Sequence, residues 1–302
     1  MRCLITGAFG FVGKFLSEHL HEQGYELFLT YRTGEKNSFS FPHTKLALSL
    51  EEKTSIQDAV QKSNPDCVVH LAGQPFVPRA IENPIETLRI NVEGTVLLLE
   101  ALRNLQKPIR FLYVSSADVY GPQTTFPISE SANTNPVNPY SASKKSAEVF
   151  IASYQKLYPQ LETLIARPFN HIGVGQNPIF VVPNFVNQIN KSDSEILVGD
   201  TSPTRDFLDV RDVVKAYGTI LKKGNAGEIY NICSGGETSI QKILEILLEI
   251  SGKNLKITRE ESRVRKAETP RLLGDNSKLK SLDWKQEISL KDSLKAIYDS
   301  LK

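Results

Sequence analysis

Tyr140 and Lys144 stand four residues apart in the run Pro139-Tyr-Ser-Ala-Ser-Lys144. Pro139 suits the first turn of a helix, and in a helix that spacing puts both side chains on one face. A phenol placed this way can give its proton to a carbonyl oxygen as a hydride reaches the carbon. Its ordinary pKa of about 10 is high for exchange near neutrality, and an ammonium one turn away is expected to lower it. Ser116 follows the apolar run from Arg110 to Ser115 and offers a hydroxyl to the same oxygen. Tyr-x-x-x-Lys alone is commonly surface decoration, so the weight rests on the elements that would position these three groups.

A hydride carrier needs a cradle, and the N-terminus has the pattern of one. Cys3-Leu-Ile-Thr6 reads as a buried strand, followed by Gly7, Gly10 and Gly13 and then by a helical pattern with Phe11, Val12, Phe15, Leu16 and Leu20 on one face. Gly7 permits a sharp turn, Gly10 lets a pyrophosphate approach the backbone, and Gly13 lets the helix close on the strand. Phe9, Phe11 and Val12 belong to the same cofactor-lining turn. The competing account is an ordinary strand–turn–helix connection. A second strand, Glu26 to Tyr31, ends at Thr30-Tyr31-Arg32 without the carboxylate that would hold the ribose 2′-hydroxyl of NAD. Arg32 could pair a 2′-phosphate, which favours NADP over NAD; the alternative is a solvated surface arginine.

The chain continues as alternating strands and helices. After a loop over 33–45 come a strand at Leu46 to Leu50, a helix at Ser55 to Lys62 and a buried strand from Cys67 ending at Leu71-Ala72-Gly73. Those last three residues should line the cofactor at the carboxyl edge of a parallel sheet. His70 lies in an apolar run and reads as a satisfied core residue. A long helix is expected from Pro84 to Leu105, a strand from Arg110 to Ser115, a helix from Pro139 to about Tyr158 and a strand from Thr163 to Arg167. This rhythm means an α/β chain with a Rossmann-type, doubly wound parallel sheet. It gives a dinucleotide-binding domain over 1–168 and a smaller substrate-binding lobe over 169–302, with the segment near 206–235 returning to the sheet through a strand at Gly227 to Cys233.

Bulk properties exclude several classes. With 40% apolar and 23% charged residues and a net charge of +2, the 302-residue chain shows neither the basic excess of a nucleic-acid binder nor an apolar run for a membrane. Cys3, Cys67 and Cys233 sit in apolar runs without metal-ligand spacing, so no metal site is expected and free thiols in a cytoplasmic protein are.

The glycine turn, Ser116, Tyr140-Ser-Ala-Ser-Lys144 and Arg205-Asp-Phe-Leu-Asp-Val-Arg-Asp212 together resemble the extended short-chain dehydrogenase/reductase family that acts on nucleotide sugars. The phrases His70-Leu-Ala-Gly-Gln-Pro-Phe-Val-Pro78, Arg167-Pro-Phe-Asn-His-Ile-Gly173 and Val198 to Phe207 are similar to its GDP-4-keto-6-deoxymannose reductase branch, which makes GDP-D-rhamnose. The resemblance implies Ser116, Tyr140 and Lys144 as catalytic residues, with Lys144 also on the nicotinamide ribose. It implies Ser49, Leu50 and Phe169 beside the cofactor. On the substrate it implies Gln74, Asp118, Asn170, Arg205, Arg265 and Glu268, although the other basic residues around Arg265 leave a solvated face open as its alternative. The family's dehydratases carry an acidic pair, or a Glu, just after the catalytic Ser or Thr; here Ala117 and Asp118 stand there, which favours plain reduction. The rival expectations are an epimerase or dehydratase that keeps NAD(P) bound and a non-catalytic nucleotide-sensing scaffold. A homodimer built on the helices from Pro84 and Tyr140 is also expected from similar enzymes.

Overall fold

The structure, a computed structural model, describes residues 1–32, 34, 38–263 and 269–302. Its centre is a sheet of seven strands: β1 (Arg2–Thr6), β2 (Glu26–Tyr31), β3 (Thr44–Ala47), β4 (Cys67–His70), β5 (Ile109–Val114), β6 (Leu161–Pro168) and β7 (Ile229–Ile232). The spatial order is β7-β6-β5-β4-β1-β2-β3 and every pairing is parallel. This is the expected Rossmann-type sheet, and the 227–233 segment does return to it, as β7 against β6. All seven carboxyl ends therefore open on one edge, where a parallel sheet binds its ligands. Strands covered on both faces read as unbroken apolar runs; all four residues of β4 are buried.

Eleven helices are described: α1 (Phe11–Glu22), α2 (Lys53–Ser63), α3 (Val77–Glu82), α4 (Pro84–Leu88), α5 (Gly94–Arg103), α6 (Pro139–Leu157), α7 (Val181–Lys191), α8 (Val210–Lys223), α9 (Ile240–Ser251), α10 (Ser277–Lys280) and α11 (Leu290–Ser300). One face of the sheet is covered by α1 and α8 through Leu16, Leu20, Val213, Tyr217 and Ile220. The other is covered by α2, α5 and α6 through Ile56, Val60, Leu98, Leu102 and Ile151. A separate apolar cluster joins α7, α9 and α11 beyond the carboxyl edge. Nearby, the short strands Asn170–Ile172 and Phe207–Asp209 pair in parallel, as do Glu195–Val198 and Lys256–Arg259.

Two expected elements differ. The third strand spans Thr44–Ala47, not Leu46 to Leu50: its partner β2 ends at Tyr31, whose carbonyl takes the N–H of Leu48. Leu48 and Leu50 are buried all the same, but from a loop. The long helix from Pro84 is interrupted by a π turn at Arg89–Glu93. The three cysteines are buried and unpaired. Among the described residues no helix is long and apolar enough to cross a membrane.

Candidate active site

The glycine turn lies where β1 meets the carboxyl edge. Gly7 has φ +72°, and a Cβ there would stand 2.9 Å from the backbone nitrogen of Ala72, so the ends of β1 and β4 touch only because this residue is glycine. A Cβ on Gly13 would fall 2.2 Å from the Gly7 carbonyl oxygen, which leaves no room for any side chain between helix and turn. Gly10 caps α1 with no side-chain hydrogen bond, and no acidic residue stands in the first turn. That end thus presents main-chain N–H groups and a positive dipole to an anion. The surroundings fit a nicotinamide dinucleotide. Leu71, Ala72 and Gly73 follow β4 at the same edge, Leu50 packs against Gly94, and Ser49 lies at the start of the turn before α2. Arg32 is exposed at the tip of β2.

His70 is the satisfied core residue expected. Thr95 donates to the Asn91 carbonyl (2.7 Å), so it accepts from His70 Nε2 (3.1 Å). Nδ1 then accepts from the Thr6 hydroxyl at 2.6 Å. Burial drives the imidazole down to about 3, so it stays neutral at any physiological pH.

Helix α6 opens with a reciprocal cap: Asn138 Oδ1 accepts from Ser141 N (2.9 Å), while the Ser141 hydroxyl accepts from Asn138 N (3.2 Å). Pro139 occupies the first helical position, which fixes Tyr140 at the second and Lys144 one turn on. Ser116 ends the loop after β5, where its hydroxyl accepts from Asp118 N at 3.2 Å. The Ser116 side chain also lies close enough to the Tyr140 phenol to favour its ionised form. Lys144 is buried beneath them, donating to the Val114 carbonyl at 2.8 Å and lying 4.9 Å from the centre of the Tyr113 ring. The expected trio is therefore assembled.

Its electrostatics differ from expectation in one respect. Tyr140 is pushed well above its ordinary value, first by burial and then by the Asp118 carboxylate, with only the nearby Ser116 side chain opposing. Lys144 does not offset this, because burial brings Lys144 itself down from 10.5 to about 8 and its charge is gone before the phenol titrates; its ammonium donates to the Val114 carbonyl. At neutral pH the site thus holds a protonated phenol above a charged ammonium.

The other expected residues divide. Asp118 lies in the 3₁₀ turn Ala117–Tyr120, close enough to Tyr140 to act on its charge. Asn170 is half-buried at the start of its short strand. Arg205 is buried and donates to the Thr204 carbonyl at 2.8 Å. Gln74 faces inward: its amide donates to Thr87 (3.1 Å) and its carbonyl oxygen accepts from Phe76 N, so the side chain serves the protein and is not offered to a ligand. Phe169 packs under the site with Tyr120, Cys233 and Leu272. Arg265 and Glu268 lie outside the described residues.

Several positioning groups escaped the sequence reading. Asn91, in the π turn, donates to Ser143 Oγ (2.9 Å) and accepts from Gln74 N (2.7 Å), which ties α6 to the loop after β4. Ser143 in turn donates to the Tyr140 carbonyl at 2.7 Å. Glu148, one turn beyond Lys144, accepts from Arg167 Nε (2.9 Å), Arg167 Nη2 (2.7 Å) and Ser115 Oγ (2.6 Å). Burial opposes the charge on both partners, yet their mutual bonds outweigh it, holding Glu148 low and Arg167 high. The one available signal was spacing: Tyr140, Lys144 and Glu148 lie on one helical face.

A parallel sheet with a glycine cradle at its carboxyl edge and a Ser–Tyr–Lys set beside it defines a nucleotide-dependent short-chain dehydrogenase/reductase site. The chain belongs to the GDP-mannose 4,6 dehydratase family, whose model matches residues 4–297. It is 39% identical to GDP-6-deoxy-D-mannose reductase of Pseudomonas aeruginosa, over 98% of this chain and 95% of that protein. It is 35% identical to GDP-6-deoxy-D-talose 4-dehydrogenase of Aggregatibacter actinomycetemcomitans, over 92% and 90%. Among solved structures, RMD from Pseudomonas aeruginosa complexed with NADPH superposes with TM-score 0.87 at 38% identity, over 100% of this chain and 99% of that one. UDP-glucose 4-epimerase of Thermotoga maritima with UDP-glucose superposes with TM-score 0.91 at 26% identity, over 99% and 98%.

Proposed function

We propose that this protein is an NAD(P)H-dependent reductase that converts the C4 ketone of GDP-4-keto-6-deoxy-D-mannose to the alcohol, giving GDP-D-rhamnose. NADPH or NADH, held at the glycine turn, supplies the hydride to C4. Tyr140 gives its proton to the carbonyl oxygen, Ser116 holds that oxygen, and Lys144 keeps positive charge beneath the phenol and reaches the cofactor ribose. The observation that carries this reading is the protonated Tyr140 phenol beside Ser116 and one helical turn from Lys144, since reduction needs a proton donor there. Ala117 and the single carboxylate Asp118 supply less acid–base apparatus than water elimination across C5 and C6 requires. The reductase named among the relatives supports the substrate, and Asn170 and Arg205 are the residues we assign to it. We favour NADPH, because the tip of β2 carries Tyr31 and Arg32 in place of an acid.

An epimerase or dehydratase on the same fold would return the hydride within each turnover. The test mixes protein, the 4-keto sugar and NADPH: the proposal expects one NADPH consumed per product, and product without net loss of NADPH would end it. Tyr140→Phe should lower kcat at least about a hundredfold with the fold intact.

We further infer a cytoplasmic homodimer. Unpaired buried thiols suit a reducing compartment. Ile81, Ile85 and Leu88 on α3 and α4 and Val149 and Phe150 on α6 expose apolar side chains on adjoining helices. Sedimentation of the protein and of Phe150→Asp decides it: a wild-type monomer refutes the dimer, and an unshifted variant removes this face from it.

A further inference from the structure

Arg167 and Glu148 form a buried charged pair that the proposed chemistry does not use. For stability alone, apolar side chains of the same volume would serve a core as well. What an ion pair has and an apolar pair lacks is direction. Glu148 Oε1 accepts from Arg167 Nε (2.9 Å) and from the Ser115 hydroxyl (2.6 Å). Oε2 accepts from Arg167 Nη2 (2.7 Å) and, from the rim, Lys145 Nζ (3.3 Å). Ser115 directly precedes Ser116, and its own N–H is held by the Ala166 carbonyl at 2.8 Å. Main chain and side chain of Ser115 are therefore both fixed, by the end of β6 and by α6.

The same arginine holds the other end of the segment. Its Cζ lies 4.7 Å from the centre of the Tyr120 ring, while Nη1, the nitrogen that Glu148 does not use, has no hydrogen-bond acceptor among the described residues. The ring face answers that remaining charge. Tyr120 closes the 3₁₀ turn that Ser116 caps, and its hydroxyl donates to Asn231 Oδ1 on β7 at 2.7 Å. The segment 115–120, which carries Ser116 and Asp118, is thus bracketed by one guanidinium: through Glu148 at Ser115, and through the ring at Tyr120. Tyr140 and Lys144 stand on the helix that carries Glu148. All three reacting side chains therefore lie on the two segments that this pair joins, whereas the glycine turn at the end of β1 shares no residue with it.

We propose that Arg167, acting with Glu148, is a positioning residue for the reduction: it sets Ser116 against the arriving ketone oxygen, and so governs hydride transfer and not cofactor binding. This rests on the reductase reading above and deepens it. A serine hydroxyl must meet the oxygen as negative charge develops on it, and a misplacement of about 1 Å can cost about a hundredfold in rate.

The test measures the rate at which bound NADPH is oxidised in a single turnover on mixing with the 4-keto sugar, and separately the affinity for NADPH, in wild type, Arg167→Met, Arg167→Lys and Ser115→Ala. Arg167→Met is expected to transfer hydride about tenfold to a hundredfold more slowly while NADPH affinity stays within about twofold. Arg167→Lys keeps a cation on the ring face and one bond to Glu148, and should recover part of the rate. Ser115→Ala leaves the ion pair intact and frees one end of the segment, so it should slow transfer about threefold to tenfold. Retained NADPH binding shows that a variant is folded; if Arg167→Met does not fold, Ser115→Ala decides. Variants that bind NADPH and transfer hydride at the wild-type rate would overturn the proposal, as would NADPH affinity falling in step with the rate. A wild-type chain that binds NADPH but does not oxidise it with the sugar ends the reductase reading, and this inference with it.

Discussion

Lys144→Met should change how stability depends on pH in a calculable way. The Lys144 side chain is 6% exposed, and burial brings its pKa from 10.5 to about 8. The difference of about 2.5 units, at about 1.36 kcal/mol each, corresponds to roughly 3 kcal/mol. A lowered lysine pKa means that the unfolded chain keeps its proton up to about pH 10.5 while the folded chain releases it near 8. Between those values the unfolded state binds more protons, so stability rises with pH; below about 8 the full cost of burying the ammonium is present. Methionine carries no such cost. The difference in unfolding free energy between wild type and variant should therefore be constant below about pH 7. It should then move in favour of the wild type by about 2 kcal/mol by about pH 9.5. Urea unfolding of both apoproteins across that range measures it, and every other titrating group cancels in the difference. A difference that stays flat to pH 9.5 would refute the reasoning, since it would mean that Lys144 titrates like a solvated lysine. The same charge governs function: kcat/KM with NADPH should decline as pH rises through about 8 in the wild type.

Glu148→Gln leaves Arg167 buried without its counter-charge, and the pair lies at 2% side-chain exposure on both sides, so a loss of about 3–5 kcal/mol is expected in urea unfolding. A loss below about 1 kcal/mol would contradict it, and Glu148→Gln/Arg167→Met should cost less than the two single changes summed. Gly13→Ala places a methyl 2.2 Å from the Gly7 oxygen, so the turn must open, with about 1–3 kcal/mol of stability and most of the nucleotide affinity lost. Unchanged NADPH binding in that variant would show that the turn is not the cradle.

The parts of the site that were legible in the sequence are those set by local geometry. Glycines at three-residue spacing after an apolar strand, and a tyrosine and lysine four apart behind a proline, keep their relation wherever the segment lies. The alternation of elements gave the parallel sheet for the same reason. What could not be read depends on residues far apart in the chain. Glu148 meets Arg167 and Ser115 only after α6 has packed over the ends of β5 and β6. The π turn holding Asn91 leaves no mark in an apolar helical pattern. The expected lowering of Tyr140 by Lys144 failed because spacing puts two groups on one face without saying how deeply they are buried. The third strand came out displaced because its extent is set by where β2 stops, not by its own leucines.

At β7 the sheet reaches its margin, and Asn231 stands on it, fully buried. Its backbone N–H points away from β6 and is taken by the Glu130 carboxylate at 2.9 Å, while its side chain grips the Ile128 and Asp275 carbonyls and receives the Tyr120 hydroxyl. The Glu130 carboxylate thus satisfies an outward donor of the last strand that would otherwise be buried without a partner. Losing Glu130 would leave that donor stranded, and the harm would surface as about 1–3 kcal/mol of lost stability where the last strand meets the lobe.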